Sequence, residues 1–253
     1  MMKNNFIYNK YFSLNIKKIV FFVFITSVYT GYKIGGAKLS KISVLEFMTE
    51  MITDYYLVVF IIFPIFGMCI FSTFFPNMAV EVIRYKSFRA YFFASLIPLI
   101  ILSFLLVLIP SVFSFLYSFI LDFPATIQPT SYFDDIGIAR ICLNSEYSVL
   151  FTFLCAALYL FVGMNFIAIT ICFLYYVFSK RKLLFVIGAA YILTVFGVQW
   201  SVDKFFPYIF LNNYTIIYDA LYNNCLFVQI LIILIVFIFI AIATKKRWGC
   251  SDL

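Results

Sequence analysis

The 253-residue sequence predicts an all-α membrane protein of six transmembrane helices, with N- and C-termini both cytoplasmic and a short helix between the second and third. Three observations predict it. First, 65% of the residues are hydrophobic, only 11% are charged, and mean hydropathy is +1.07, whereas a soluble domain carries about 25% charge. Second, the uncharged runs are long enough, because crossing about 30 Å of hydrocarbon takes roughly 20 residues at 1.5 Å each. Third, the basic residues alternate between faces. With the N-terminus inside, 13 of the 18 fall on inner segments: Lys3, Lys10, Lys17, Lys18, Arg84, Lys86, Arg89, Lys180, Arg181, Lys182, Lys245, Lys246 and Arg247. Lys33, Lys38, Lys41, Arg140 and Lys204 fall outside, so the bias sets the orientation.

Taken in order, the first run, Ile19–Tyr32, follows Lys17 and Lys18 and is short for a span, so Lys33 is expected to snorkel to the interface. A signal peptide ending near Gly35, Gly36 and Ala37 is the other reading of this run. The second span is Tyr55–Phe75, and Pro76 stops it and pre-organises a short helix. The third and fourth, Tyr91–Leu121 and Val149–Phe178, exceed a bilayer as straight helices. They are expected to tilt, to project outward, or, in the third, to kink at Pro98 or Pro110. Leu183–Trp200 and Leu226–Thr244 complete the six. The connecting segments Asp122–Ser148 and Ser201–Cys225 are too short for cores of their own, so residues 1–253 form one transmembrane domain.

Composition also narrows the chemistry. The chain has no histidine, which removes His-ligated zinc sites, Ser-His and Cys-His nucleophiles and imidazole proton relays. The uncharged runs contain no Asp, Glu, Lys or Arg, against proton coupling, voltage sensing or an aspartyl intramembrane protease. Gly31-Tyr32-Lys33-Ile34-Gly35-Gly36-Ala37-Lys38-Leu39 departs from a phosphate loop, its lysine one place late and no Ser or Thr following. No catalytic site, metal or cofactor is expected in this chain. The net charge of +7 is spread over short inner segments, so no nucleic-acid partner is implied.

The inner segment between the second and third spans offers Glu81, Arg84, Lys86 and Arg89 as charges and Ile83, Tyr85 and Phe88 as apolar knobs. From the residues alone it reads equally as a partner-docking helix or an ordinary positive-inside loop. Its run Glu81-Val82-Ile83-Arg84-Tyr85-Lys86-Ser87-Phe88-Arg89-Ala90-Tyr91-Phe92 resembles the segment after the second span in small permeases of the ABC-2 type. The resemblance implies that Glu81, Ile83, Arg84, Tyr85, Lys86, Phe88 and Arg89 form a coupling helix docked in a separate ATPase subunit, which binds ATP and magnesium. It further implies two ATPase chains, a second permease copy or related permease, and a bacterial cytoplasmic membrane. An N-terminal amphipathic interfacial helix, with Asn5–Lys17 as its candidate, and a re-entrant outer element between the fifth and sixth spans are also implied.

Two polar or aromatic patterns remain. Ser103, Ser111, Ser114 and Ser118 share an arc of about 80° on a regular helix. They either let helices approach closely or line a translocation path, with Asn165 and Gln199 as further wall residues. In the last outer segment Tyr214, Tyr218 and Tyr222 recur at helical spacing, as an interfacial aromatic belt or as an outer gate. Cys142 and Cys225 both fall outside, so a bridge is conceivable, although such cysteines commonly act as small hydrophobes. The resulting expectation is the membrane subunit of an ABC exporter of amphipathic cargo, such as an antimicrobial or other peptide. The alternative is a non-transporting polytopic protein acting as an accessory or sensor component.

Overall fold

The computed structural model describes residues 2–39, 42–74, 88–125, 149–178, 180–199 and 206–246, all in helices, turns or short connections, with no strand among them. The first element, α1 (Met2–Leu39), is one helix of 38 residues. The sequence has no proline there to stop it, so the expected interfacial helix Asn5–Lys17 and the first span fuse rather than meeting at a break. Its membrane-compatible part is Asn15–Ala37, longer at both ends than the run read from the sequence.

After α1 comes α2 (Val44–Thr53), in a stretch the sequence reading treated as a connecting segment. A capping box starts it: Ser43 Oγ accepts from Glu46 N at 3.3 Å, and the Glu46 carboxylate accepts from Ser43 N at 2.6 Å. Asp54 then caps a π-helical stretch, Tyr56–Ile62, accepting from Leu57 N at 2.9 Å. This runs directly into α3 (Phe63–Phe74). The widened turn has a cause in Pro64, which supplies no N–H to the Phe60 carbonyl and whose ring would crowd it in a regular α-turn. Together α2 and residues 57–72 form a pair bent by 53°.

Helix α4 (Phe88–Ile120) passes through both Pro98 and Pro110 as a single element. Its end is a left-handed cap: Asp122 has φ 55° and Phe123 N donates to Ser118 O at 3.0 Å. Helices α5 (Val149–Val177) and α6 (Lys180–Gln199) follow. Next come a 3₁₀ turn at Asn212–Tyr214 and the short α7 (Ile217–Tyr222). Asn224, at φ 51°, repeats the left-handed cap, with Cys225 N donating to Ala220 O. The last helix is α8 (Leu226–Lys246).

Four of these helices are long and apolar enough to cross a membrane, and the bent pair makes a fifth. That is the multi-pass membrane architecture the composition demanded, with four to five candidate spans rather than six. Helix α6, the fifth run of the sequence reading, is not among these candidates.

Two polar clamps tie α1 to the bent pair. At one end Lys18 Nζ donates to Asn15 Oδ1 and to Met68 O, while Ser72 Oγ donates to Asn15 Oδ1 at 2.7 Å. At the other, Lys33 Nζ pairs with Asp54 Oδ2 at 2.6 Å and the Tyr29 hydroxyl donates to Asp54 Oδ1 at 2.8 Å. The fifteen helical steps from Lys18 to Lys33 rise about 22 Å, which snorkelling stems extend to a bilayer's thickness. Helix α2 therefore lies beyond the Lys33 clamp, packed on the far ends of α4 and α5. Its Phe47 meets Phe123 edge-on, and Val44 N donates to Pro124 O. The core gathers Phe22, Phe47, Phe66 and Phe92. By contrast α8 turns Phe227, Ile238 and Phe239 outward, which in a bilayer is lipid contact rather than a liability.

Candidate functional site

The feature that sets this bundle apart is the segment 206–225, which folds inward against α5 instead of lying on the surface. Gly163, the midpoint of α5, makes this approach available: a Cβ there would collide with the Tyr214 carbonyl. Backbone polar groups brought to the middle of an apolar bundle must be satisfied by protein, and the sequence supplies the partners. Tyr159 of α5 places its hydroxyl 2.7 Å from Asn213 O and 2.9 Å from Gln229 Oε1 of α8. Asn213 Nδ2 donates to Pro207 O at 2.8 Å, and Asn212 Nδ2 to Asp219 Oδ2 at 2.7 Å. Leu211 N donates to Thr194 Oγ1 of α6, so the turn is tied directly to α5 and α6, and to α8 through Tyr159. Asn213 is fully buried.

The tyrosines divide. Tyr214 belongs to the 3₁₀ turn, is 6% exposed, stacks on Phe166 at 5.2 Å and donates to Tyr208 O. Tyr218 and Tyr222 belong to α7 and stack on each other at 6.3 Å, with Tyr222 59% exposed. No single helical stripe of three forms, because the helix starts only at Ile217, after Tyr214 has turned inward.

All four serines of the α4 arc are buried, and each donates to the carbonyl four residues back: Ser103 to Leu99, Ser111 to Val107, Ser114 to Pro110 and Ser118 to Ser114. Ser95, outside the arc, is buried too and donates to Phe92 O. Asn165 Oδ1 stands 3.5 Å from Ser103 Oγ and its Nδ2 donates to Phe161 O. It also borders a cleft of about 180 Å³ between α4, α5 and α8. Gln199 closes α6, and its side chain lies outside the described residues. So do Glu81, Ile83, Arg84, Tyr85 and Lys86, and the side chains of Phe88 and Arg89 at the start of α4. The Cys142–Cys225 bridge likewise falls outside them, since Cys142 does; Cys225 itself is buried and its thiol donates to Ala220 O.

Three features escaped the sequence reading. One is the buried Glu46 and the Lys33–Asp54–Tyr29 clamp, since a search for uncharged runs skips α2; the Ser43-x-x-Glu46 spacing was its signal. A second is the Tyr159–Asn213–Gln229 knot, signalled only by single polar residues in apolar runs. The third is an apolar cleft of about 300 Å³ between α3, α5 and α6, bordered by Phe63, Gly67, Met68, Ile171, Leu184 and Gly188. No group of His, Cys, Asp or Glu among the described residues is arranged to hold a metal ion. No protein-family model matches the chain, and no curated protein or solved structure matches it either.

Proposed function

We propose that this chain is the membrane-spanning permease subunit of an ABC exporter, set in a bacterial cytoplasmic membrane with both termini inside and α6 as its fifth span. It moves an amphipathic cargo such as an antimicrobial or other peptide. It holds no catalytic site of its own; ATP and magnesium are bound by two separate ATPase chains, and a second permease copy or a related permease completes the assembly. The observation that carries the reading is the inward fold of 206–225 to Gly163 at the middle of α5, at the place where a re-entrant outer element is expected of such permeases. The run from Glu81 to Arg89 supplies the docking contacts, and closure of the ATPases would tilt the helices to switch access between faces. Charge reversal at Arg84 and Arg89 tests it: the tagged wild-type chain should co-purify with a phosphate-loop ATPase, and the double variant should lose it at equal expression. Absence of any ATPase from the wild-type preparation sinks the proposal.

One observation favours the second reading, a non-transporting accessory or sensor protein. The buried serines of α4 spend their donors on their own helix and leave no polar wall within the described bundle. A chain that keeps full function when Arg84 and Arg89 are reversed belongs to that class.

A further inference from the structure

The cleft between α3, α5 and α6 is lined by apolar side chains and reaches the level of the Lys18 clamp, with Met68 and Phe71 on its wall. Two glycines face each other across it. A Cβ on Gly67 or Gly188 would meet nothing within 4 Å, so the space continues to the backbone of both helices. Water does not fill an apolar space of this kind, and at about 300 Å³ it is of a size for one chain-like apolar segment.

What marks the occupant is the charge at one end. Tyr55 of the bent pair donates to Thr194 O of α6, and Leu184 at the start of α6 borders the same cleft as Phe71 at the end of α3. The two helices are therefore antiparallel, and Arg181 lies as far from Thr194 as Met68 lies from Tyr55. Arg181 also precedes Leu184, Gly188 and Tyr191 at spacings of three, seven and ten, on one helical face. Lys18 reaches the same level, bonded to the Met68 carbonyl. Arg181 and Lys182 are exposed. Of the described carboxylates, Glu46, Glu50, Asp54 and Asp122 lie at the opposite end of the bundle, and Asp219 lies with the inward-folded segment.

The geometry points to a binding site for an anionic phospholipid, one acyl chain in the cleft and its phosphate between Arg181 and Lys18. A neutral apolar ligand would fill the cleft but bring no anion to these cations, and no described carboxylate lies at their level. Basic pockets between helix ends are suited to such headgroups.

The full chain, purified in detergent, is offered phosphatidylglycerol or phosphatidylcholine of equal chain length, and retained lipid is counted by native mass spectrometry. Wild type should keep phosphatidylglycerol in preference, by about fivefold per contacting cation. The variant R181Q should lose about fivefold of that preference, the share of Lys18 remaining, with unchanged thermal unfolding. Gly188→Leu, which meets open space, should lower retention of both lipids. Equal retention of the two lipids by wild type overturns the site, as does undiminished phosphatidylglycerol binding by Gly188→Leu. A disulfide between two copies through Gly188→Cys would show a second copy in the cleft and overturn it equally.

Discussion

Gly163 is the residue on which the inward fold turns. Adding one methyl group there drives a Cβ into the Tyr214 carbonyl, and a backbone atom tied into the Asn213–Tyr159 and Leu211–Thr194 bonds has little room to retreat. Gly163→Ala should therefore destabilise the protein by about 1–3 kcal/mol, the usual range for overpacking, despite the better helix propensity of alanine. Gly188→Ala is the matched control, because its Cβ meets nothing, and it should be neutral or slightly stabilising. Thermal unfolding of both variants in the same detergent checks this, and equal melting temperatures would remove Gly163 from its role. In the sequence the two glycines look alike, each a lone small residue in an apolar run. Only the partner distinguishes them, and the partner comes from a segment about fifty residues away.

At the scale of elements, hydropathy made the uncharged helices legible and concealed the broken one. Long apolar runs cannot be satisfied in water, so α4, α5 and α8 stood out at once. Helix α2 did not, because Glu46, Glu50 and Asp54 made its stretch look like a solvated loop, although Glu46 is fully buried in its capping box. The bend itself depends on Asp54, whose carboxylate takes Lys33, the Tyr29 hydroxyl and Leu57 N together. Its side chain is only 8% exposed, so Asp54→Ala leaves three donors short and should cost on the order of 2 kcal/mol. Asp54→Asn retains an acceptor for Leu57 N while losing the ion pair, and should recover about half of that. Thermal unfolding at low and high salt separates the terms. The pair belongs at the interface, so the Asp54→Asn deficit should shrink with salt. If Asn behaves as Ala does, the cap contributes nothing and the bend has another origin. The tyrosine pattern was misread for a related reason: spacing of four promises a shared face only inside one helix, and Tyr214 precedes α7.

At the scale of the molecule, the described bundle has apolar surfaces outside and an interior whose polar side chains bond mostly within the chain, although Gln229 Nε2, Asn212 Oδ1 and Thr26 Oγ1 stay buried without a partner. The serines of α4 bond their own backbone, the Asn213 knot bonds across α5 and α8, and Asn165 bonds Phe161. A polar cargo crossing within one such chain would have to break these bonds in a low-dielectric medium, where an orphaned buried donor or acceptor costs about 1–3 kcal/mol each. On the proposed reading the route therefore runs between two permease chains, and the assembly should hold two of them. Light scattering of the detergent-solubilised complex with its ATPase should give a membrane component of twice 29.5 kDa, or one copy joined to a related permease of similar size. The ratio of permease to ATPase chains should be two to two. Each chain is then free to keep its own core rigid, since switching access needs only a change in how two rigid bundles meet. A complex containing a single permease chain with cargo export intact would require the path to pass through the bonds just named, and would end the two-chain model.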